Sequence, residues 1–187
     1  MKKLLMLLGV SLILCSCTTT PVQRQEATAT PATVLQVDVI NACFSPDGKC
    51  TAAIVEQIDN AKSKILIQAY SFTSIPIATA LINAHKRGVR IEAILDKSNE
   101  TGKYSSATFI SNAGIPVFID SRHIIAHNKI IVIDNEIIIT GSFNFTKAAE
   151  EKNAENILII RSIELAKIYS ENWTKHKQHS DEYKGRQ

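Results

Sequence analysis

Two runs of β-branched residues, Ile130-Ile131-Val132-Ile133 and Ile137-Ile138-Ile139, stand on either side of Asp134-Asn135-Glu136. Runs this short and this rich in isoleucine and valine fit buried strands rather than helices, and the polar break between them marks a hairpin. The strands extend over Ala126–Asp134 and Glu136–Phe145. Polar residues sit at the outer ends of this apolar pair: His127, Asn128 and Lys129 before it, Gly141-Ser142-Phe143-Asn144 after it. Polar groups buried without partners cost free energy, so their placement requires a chemical reason.

The rest of the chain alternates strands and helices. Val34–Ile40 alternates like a strand, and Thr51–Lys62 carries Ile54, Ile58 and Ala61 at helical spacing. Lys64–Phe72 reads as a buried strand. A helix bearing Ile77, Ala80, Leu81 and Ala84 follows and ends at Gly88, and Val89–Leu95 is the next strand. A helix over Thr101–Ala113, a strand over Ile115–Ile119 and a loop over Asp120–Ile125 lead to the hairpin. After it come a polar loop, Thr146–Ala154, a strand, Glu155–Arg161, and a closing helix with Leu165, Ile168, Tyr169 and Trp173 on one face. This order implies an α/β fold: a mixed sheet with helices on both faces and an antiparallel portion after Ile115. No internal repeat is present.

The 187 residues divide into a leader (1–17), a flexible linker (18–33), one domain (34–180) and a polar tail (181–187). The leader has Lys2 and Lys3, an apolar run from Leu4 to Leu14, then Cys15-Ser16-Cys17, the layout of a secretory signal. Leu14-Cys15-Ser16-Cys17 also resembles a bacterial lipobox, with Cys17 as the lipidated residue. A membrane-anchored envelope lipoprotein is therefore favoured over a freely secreted protein. The formal charge of +3 falls to +1 without Lys2 and Lys3, which excludes a polybasic tail; nucleic acid would have to be met by a local patch. Cys43 and Cys50 bracket turn-forming residues, and in an oxidising compartment they are expected to form a disulfide.

Strand alternation puts His127 and Lys129 on one face. With Asn135-Glu136 as a two-residue loop, Lys129 falls opposite Ser142, and His127 opposite Asn144. A three-residue loop would send Ser142 and Asn144 to the other face. Asp134 has the wrong parity to join them and is expected to act at the turn or through an ion pair. Lys129 would supply charge and Ser142 and Asn144 neutral donors to non-bridging phosphate oxygens, with Gly141 permitting close backbone approach to a ligand. His127 can attack phosphorus if an acceptor holds its second nitrogen, and Glu155 is the candidate acceptor.

The run His127-x-Lys129, four residues, Asp134, six residues, Gly141-Ser142-x-Asn144 resembles the phospholipase D, or HKD, superfamily. The segment Gly141–Asn156 resembles its single-motif bacterial endonuclease branch, as do Ala69–Ser74, His85–Val89 and Asn112–Val117. The resemblance implies a phospholipase D/nuclease-like fold and a two-step reaction through a phosphohistidine, with no metal or cofactor. His127, Lys129, Ser142, Asn144 and Glu155 would be the catalytic set, with Asp134 and Gly141 in support. One motif per chain implies a homodimer with a site on its two-fold axis, each His127 taking one role. The implied substrate is DNA, with RNA left open.

Taken singly, each residue has a plain structural reading: His127 as a strand histidine, Lys129 as an edge residue, Ser142 and Asn144 as hairpin-end polars. Their joint spacing sets that reading aside. Of the other histidines, His85 sits near a helix end, His123 precedes the motif, and His176 and His179 are assigned to a solvated tail. Glu92 and Asp96 have no partner motif, and Lys86-Arg87 reads as an exposed helix end. Two rival functions share the chemistry or the partner: a phospholipase D acting on phosphatidyl esters, and a non-catalytic DNA-binding lipoprotein.

Overall fold

The computed structural model describes residues 35–185; the leader, the linker and Cys17 lie outside the described residues. Strands β1 (Asp38–Ser45), β2 (Lys64–Ala69), β3 (Arg90–Asp96), β4 (Val117–Asp120), β5 (Lys129–Ile133), β6 (Ile137–Gly141), β7 (Glu155–Arg161) and β8 (Asp181–Glu182) form one sheet. Their order is β1-β7-β6-β5-β2-β3-β4-β8. β2, β3 and β4 run parallel, while β5 returns antiparallel on β2 and begins the antiparallel half of β5, β6, β7 and β1. The mixed sheet and its antiparallel second half agree with the sequence pattern.

Helices α1 (Cys50–Asn60) and α2 (Ile75–Lys86) cover one face, packing Ile54, Ile58, Ile77 and Leu81 against Ile65, Ile67, Ile131 and Ile139. Helix α6 (Ile163–Lys177) covers the other through Ala166 and Trp173, against Leu66, Ile94, Val132 and Ile138. Every residue of β5 is buried, Lys129 included, and the apolar run Ile130–Ile133 is covered on both faces of the sheet. Each such isoleucine contributes about 1.5–3 kcal/mol by leaving water. Trp173 is further fixed by its indole N–H, which donates to the Ile67 carbonyl at 2.7 Å.

Four local expectations are corrected. The single helix over Thr101–Ala113 is two short ones, α3 (Ser98–Thr101) and α4 (Ala107–Asn112). Gly102 ends the first, and Ser105 Oγ accepts from Ala107 N to start the second. The first strand lies further along the chain than Val34–Ile40, because its ladder with β7 runs from Asp38 opposite Arg161 to Ser45 opposite Glu155; the disulfide Cys43–Cys50 joins its end to the start of α1. The loop Thr146–Ala154 contains α5 (Lys147–Glu151), capped by Thr146 Oγ1 accepting from Ala149 N. The tail is not loose at its start: Asp181–Glu182 pairs with β4, and the buried Tyr183 shares a 2.7 Å hydrogen bond with Thr108.

Candidate active site

The hairpin between β5 and β6 has three loop residues, not two. Ile133 pairs with Ile137, Glu136 N donates to Ile133 O, and Asp134 and Asn135 both adopt left-handed φ values of 53° and 56°. The cause is Asp134. Its carboxylate accepts from Lys62 N (2.8 Å), from Ser63 N and Oγ (2.8 Å each) and from Lys64 N (2.9 Å), so the turn is built around an aspartate docked on the start of β2. Burial alone would raise its pKa. The hydrogen bonds, led by those of Lys64 and Lys62, outweigh that effect and hold it below the usual carboxylate value.

The ladder Ile130–Thr140, extended one step, sets Lys129 level with Gly141 rather than Ser142, so the cross-strand pairs His127–Asn144 and Lys129–Ser142 do not form. The side chains meet by another route. β6 stops at Gly141, and the next two N–H groups, of Ser142 and Phe143, both donate to the Asn156 carbonyl at 3.1 and 3.3 Å. Two residues then face one, a bulge that releases the chain from strand alternation. Phe143 and Phe145 plug into the core, and Phe145 is locked to the end of β2 by its N–H to Ser71 O and by Thr73 and Ser74 N–H to its carbonyl. Ser142 and Asn144, between the two plugs, are left on the outer side. With His127, Lys129, Gly141 and Glu155 they line one open cavity of about 360 Å³.

Gly141 is required for a reason other than ligand approach. A Cβ there would stand 2.1 Å from the Asn156 carbonyl oxygen, the acceptor that organises the bulge. The close approach is between the chain's own strands.

Lys129 is 7% exposed, and its Nζ donates to the His127 carbonyl at 2.8 Å and lies 5.3 Å from the centre of the Tyr70 ring. Burial lowers its pKa, and the nearby Glu155 carboxylate partly restores it. Ser142 Oγ accepts from Asn156 N and Nδ2 at 3.1 and 3.3 Å, so its hydroxyl hydrogen remains available to a ligand. Asn144 Oδ1 is buried and has no hydrogen-bond partner among the described residues. Glu155 Oε1 accepts from Asn153 Nδ2 at 3.0 Å, and no hydrogen bond joins it to His127 within the chain. The exposed His127 ring instead leans on Tyr70, with centroids 4.7 Å apart.

Tyr70 was not among the residues singled out from sequence. The signal for it is register: Ala69 pairs with Lys129, so the residue that follows β2 must emerge beside the motif. Asp96, without an evident role in the sequence, accepts from Ala126 N at 2.7 Å and so anchors the approach to His127. Arg87 is not merely at an exposed helix end, since its guanidinium donates to the Ile58 and Asp59 carbonyls of α1. His176 and His179 are not in a solvated tail. Both reach, with His123, the buried carboxylate of Asp120.

Residues 54–177 match the family model described as cardiolipin synthase, PLD-like domain. The chain is 48% identical over 138 residues to "Phospholipase D" of Rickettsia felis, covering 74% of this chain and 69% of that protein. It is 30% identical over 148 residues to "Mitochondrial cardiolipin hydrolase" of Xenopus laevis, covering 73% and 70%. Among solved structures it superposes with a TM-score of 0.76 on a phospholipase D family member, Nuc from Salmonella typhimurium. That pair shares 40% identity and covers 79% of this chain and 99% of the other.

Proposed function

The chain belongs to the phospholipase D-like superfamily of phosphodiester hydrolases, and from that premise we propose that it is a metal-independent endonuclease of DNA whose site is completed by a second copy. The observation that carries the reading is the convergence of His127, Lys129, Ser142, Asn144 and Glu155 on one cavity lined by no apolar side chain. His127 attacks phosphorus, a P–N bond forms, and the leaving oxygen takes its proton from the His127 of the second copy. Water then hydrolyses the phosphohistidine, with that second imidazole now acting as base. Lys129 and the hydroxyl of Ser142 hold the non-bridging oxygens, and Asn144 supplies a further polar contact. Glu155 is the carboxylate that orients an imidazole.

Two features support completion by a partner. The cavity is open and holds one HKD motif, whereas the reaction needs two histidines. The buried Asn144 Oδ1 also lacks a hydrogen-bond partner among the described residues. A two-fold contact brings identical residues together, so that the His127 rings of the two copies can face one phosphodiester. In this reading the enzyme works in the bacterial envelope, tethered through Cys17.

A second reading, phospholipase D activity on phosphatidyl esters, is favoured by the names of the Rickettsia relatives. Ile124 (90% exposed) and Ile125 (51%), just before His127, could also meet a lipid surface. The test is incubation of the protein with plasmid DNA and, separately, with phosphatidylcholine vesicles, in EDTA and below the melting transition. Plasmid cleavage that falls at least about 10³-fold in His127→Ala is expected. Lipid turnover alone would select the second reading, and binding without cleavage would select the passive DNA-binding one. A fully active monomer in sedimentation would refute the shared site.

A further inference from the structure

A second cluster of chemistry-bearing side chains lies outside the cavity. Asp120, at the end of β4, has a fully buried side chain, and three imidazoles point a ring nitrogen at it. His123 Nδ1 lies 3.1 and 3.2 Å from its two oxygens, while His176 Nδ1 and His179 Nε2 lie 2.7 and 3.4 Å from Oδ2. The three rings stand in a triangle, with centroids 5.0, 5.3 and 5.3 Å apart. One ligand atom from each of the four residues falls within 4.8 Å of all the others.

We propose that Asp120, His123, His176 and His179 form a structural site for a divalent transition-metal ion of the zinc class. Three imidazole nitrogens and one carboxylate oxygen are a donor set suited to that class, and four protein ligands make a closed tetrahedral site. Bonds of about 2.0–2.1 Å in tetrahedral geometry place ligand atoms roughly 3.3–3.4 Å apart. The observed Asp120–imidazole separations already fall near or below that value, and a modest drawing-in of the rings completes the set. A lone carboxylate does not explain three converging imidazoles. Three imidazoles would also crowd a carboxylate that already accepts from Arg122 N at 3.2 Å. A dication among them meets four lone pairs at once.

The four ligands come as two pairs at the same short spacing, Asp120-x-x-His123 and His176-x-x-His179. One pair closes β4 and opens the loop to His127, and the other closes α6 and turns the chain toward β8. The ion would therefore fasten the C-terminal end of α6 to the segment carrying Ile124 and Ile125. That segment's far end is already held by Asp96 through Ala126 N. The site serves position rather than the phosphoryl chemistry.

The test uses the untagged full chain, stripped with a chelator and dialysed, and titrated calorimetrically with Zn²⁺. A parallel titration with Co²⁺ reads the visible absorption of tetrahedral coordination. One zinc per chain is expected, with a tetrahedral cobalt spectrum and a raised melting temperature. In His123→Ala, whose histidine side chain is 44% exposed and whose loss the fold should tolerate, binding should weaken by more than the roughly 10–100-fold seen for an outer-shell change. His176→Ala, checked by circular dichroism, should do the same, whereas His127→Asn should bind zinc normally. Equal zinc binding by wild type and a folded His123→Ala, or loss of the ion in His127→Asn, would overturn the proposal. Neither outcome bears on whether His127 cleaves phosphodiesters.

Discussion

Asp134→Asn isolates what the aspartate of the motif does. Asparagine tolerates the left-handed φ of 53° and preserves shape, so the change removes charge and one acceptor. In the wild type Oδ1 accepts three hydrogen bonds and Oδ2 accepts one, from Lys62 N. Putting the new NH₂ at the Oδ2 position sets two donors face to face and weakens the other three bonds. Bonds to a charged acceptor contribute about 1.5–3 kcal/mol each, and partial exposure here argues for the low end, so the net loss should be about 2 kcal/mol. For a domain of this size that is a fall of roughly 4–8 °C in Tm.

The pH dependence supplies a second signature. The folded-state pKa of Asp134 lies below its unfolded value. Its charge-dependent stability is therefore fully present above the unfolded carboxylate pKa of about 3.9 and is lost as pH falls through the folded pKa. The gap between wild type and Asp134→Asn, measured by thermal or urea melts, should be widest at neutral pH and should shrink as pH drops below about 4. Turnover by the folded variant should stay within about two-fold of wild type, because the side chain binds the start of β2 and not the cavity. A gap that stays constant from neutral pH down to the acid limit would refute the hydrogen-bond argument. A large loss of turnover in a stable variant would refute the structural assignment.

Gly141→Ala should destabilise by about 3 kcal/mol or prevent folding, since the added Cβ meets the Asn156 carbonyl at 2.1 Å; unchanged melts would contradict the bulge. Glu155→Gln removes the carboxylate that raises the Lys129 pKa, so the alkaline limb of the pH profile of kcat/KM should move to lower pH. A limb that stays in place would mean that Lys129 does not set it. Replacing Cys43 and Cys50 together by serine opens a loop closed over a separation of 7 residues, at a cost of about 2 kcal/mol read from urea midpoints. No change under non-reducing conditions would show that the disulfide adds nothing to stability.

The sequence by itself determined the mixed α/β sheet, the hairpin at its centre and the identity of the polar residues around it. Short β-branched runs have few structural options, and Glu155–Arg161 was readable to the residue because its apolar run, Ile157–Ile160, is bounded by polar and charged residues. Parity also kept Asp134 out of the catalytic group, leaving it to the turn or to an ion pair. What it could not determine was how Ser142 and Asn144 reach the same cavity as His127. Strand parity depends on loop length, and the loop is set by an aspartate bonding to residues about seventy positions away. With three loop residues the alternation would have separated the groups, and the bulge on the Asn156 carbonyl, made possible by Gly141, brings them back together. The Asp120 cluster was hidden for the same reason. Its pairs are local in sequence, but α6 must cross the sheet before His176 and His179 can face β4. Local pattern fixes which faces are apolar; only the packed sheet decides which distant polar groups share one space.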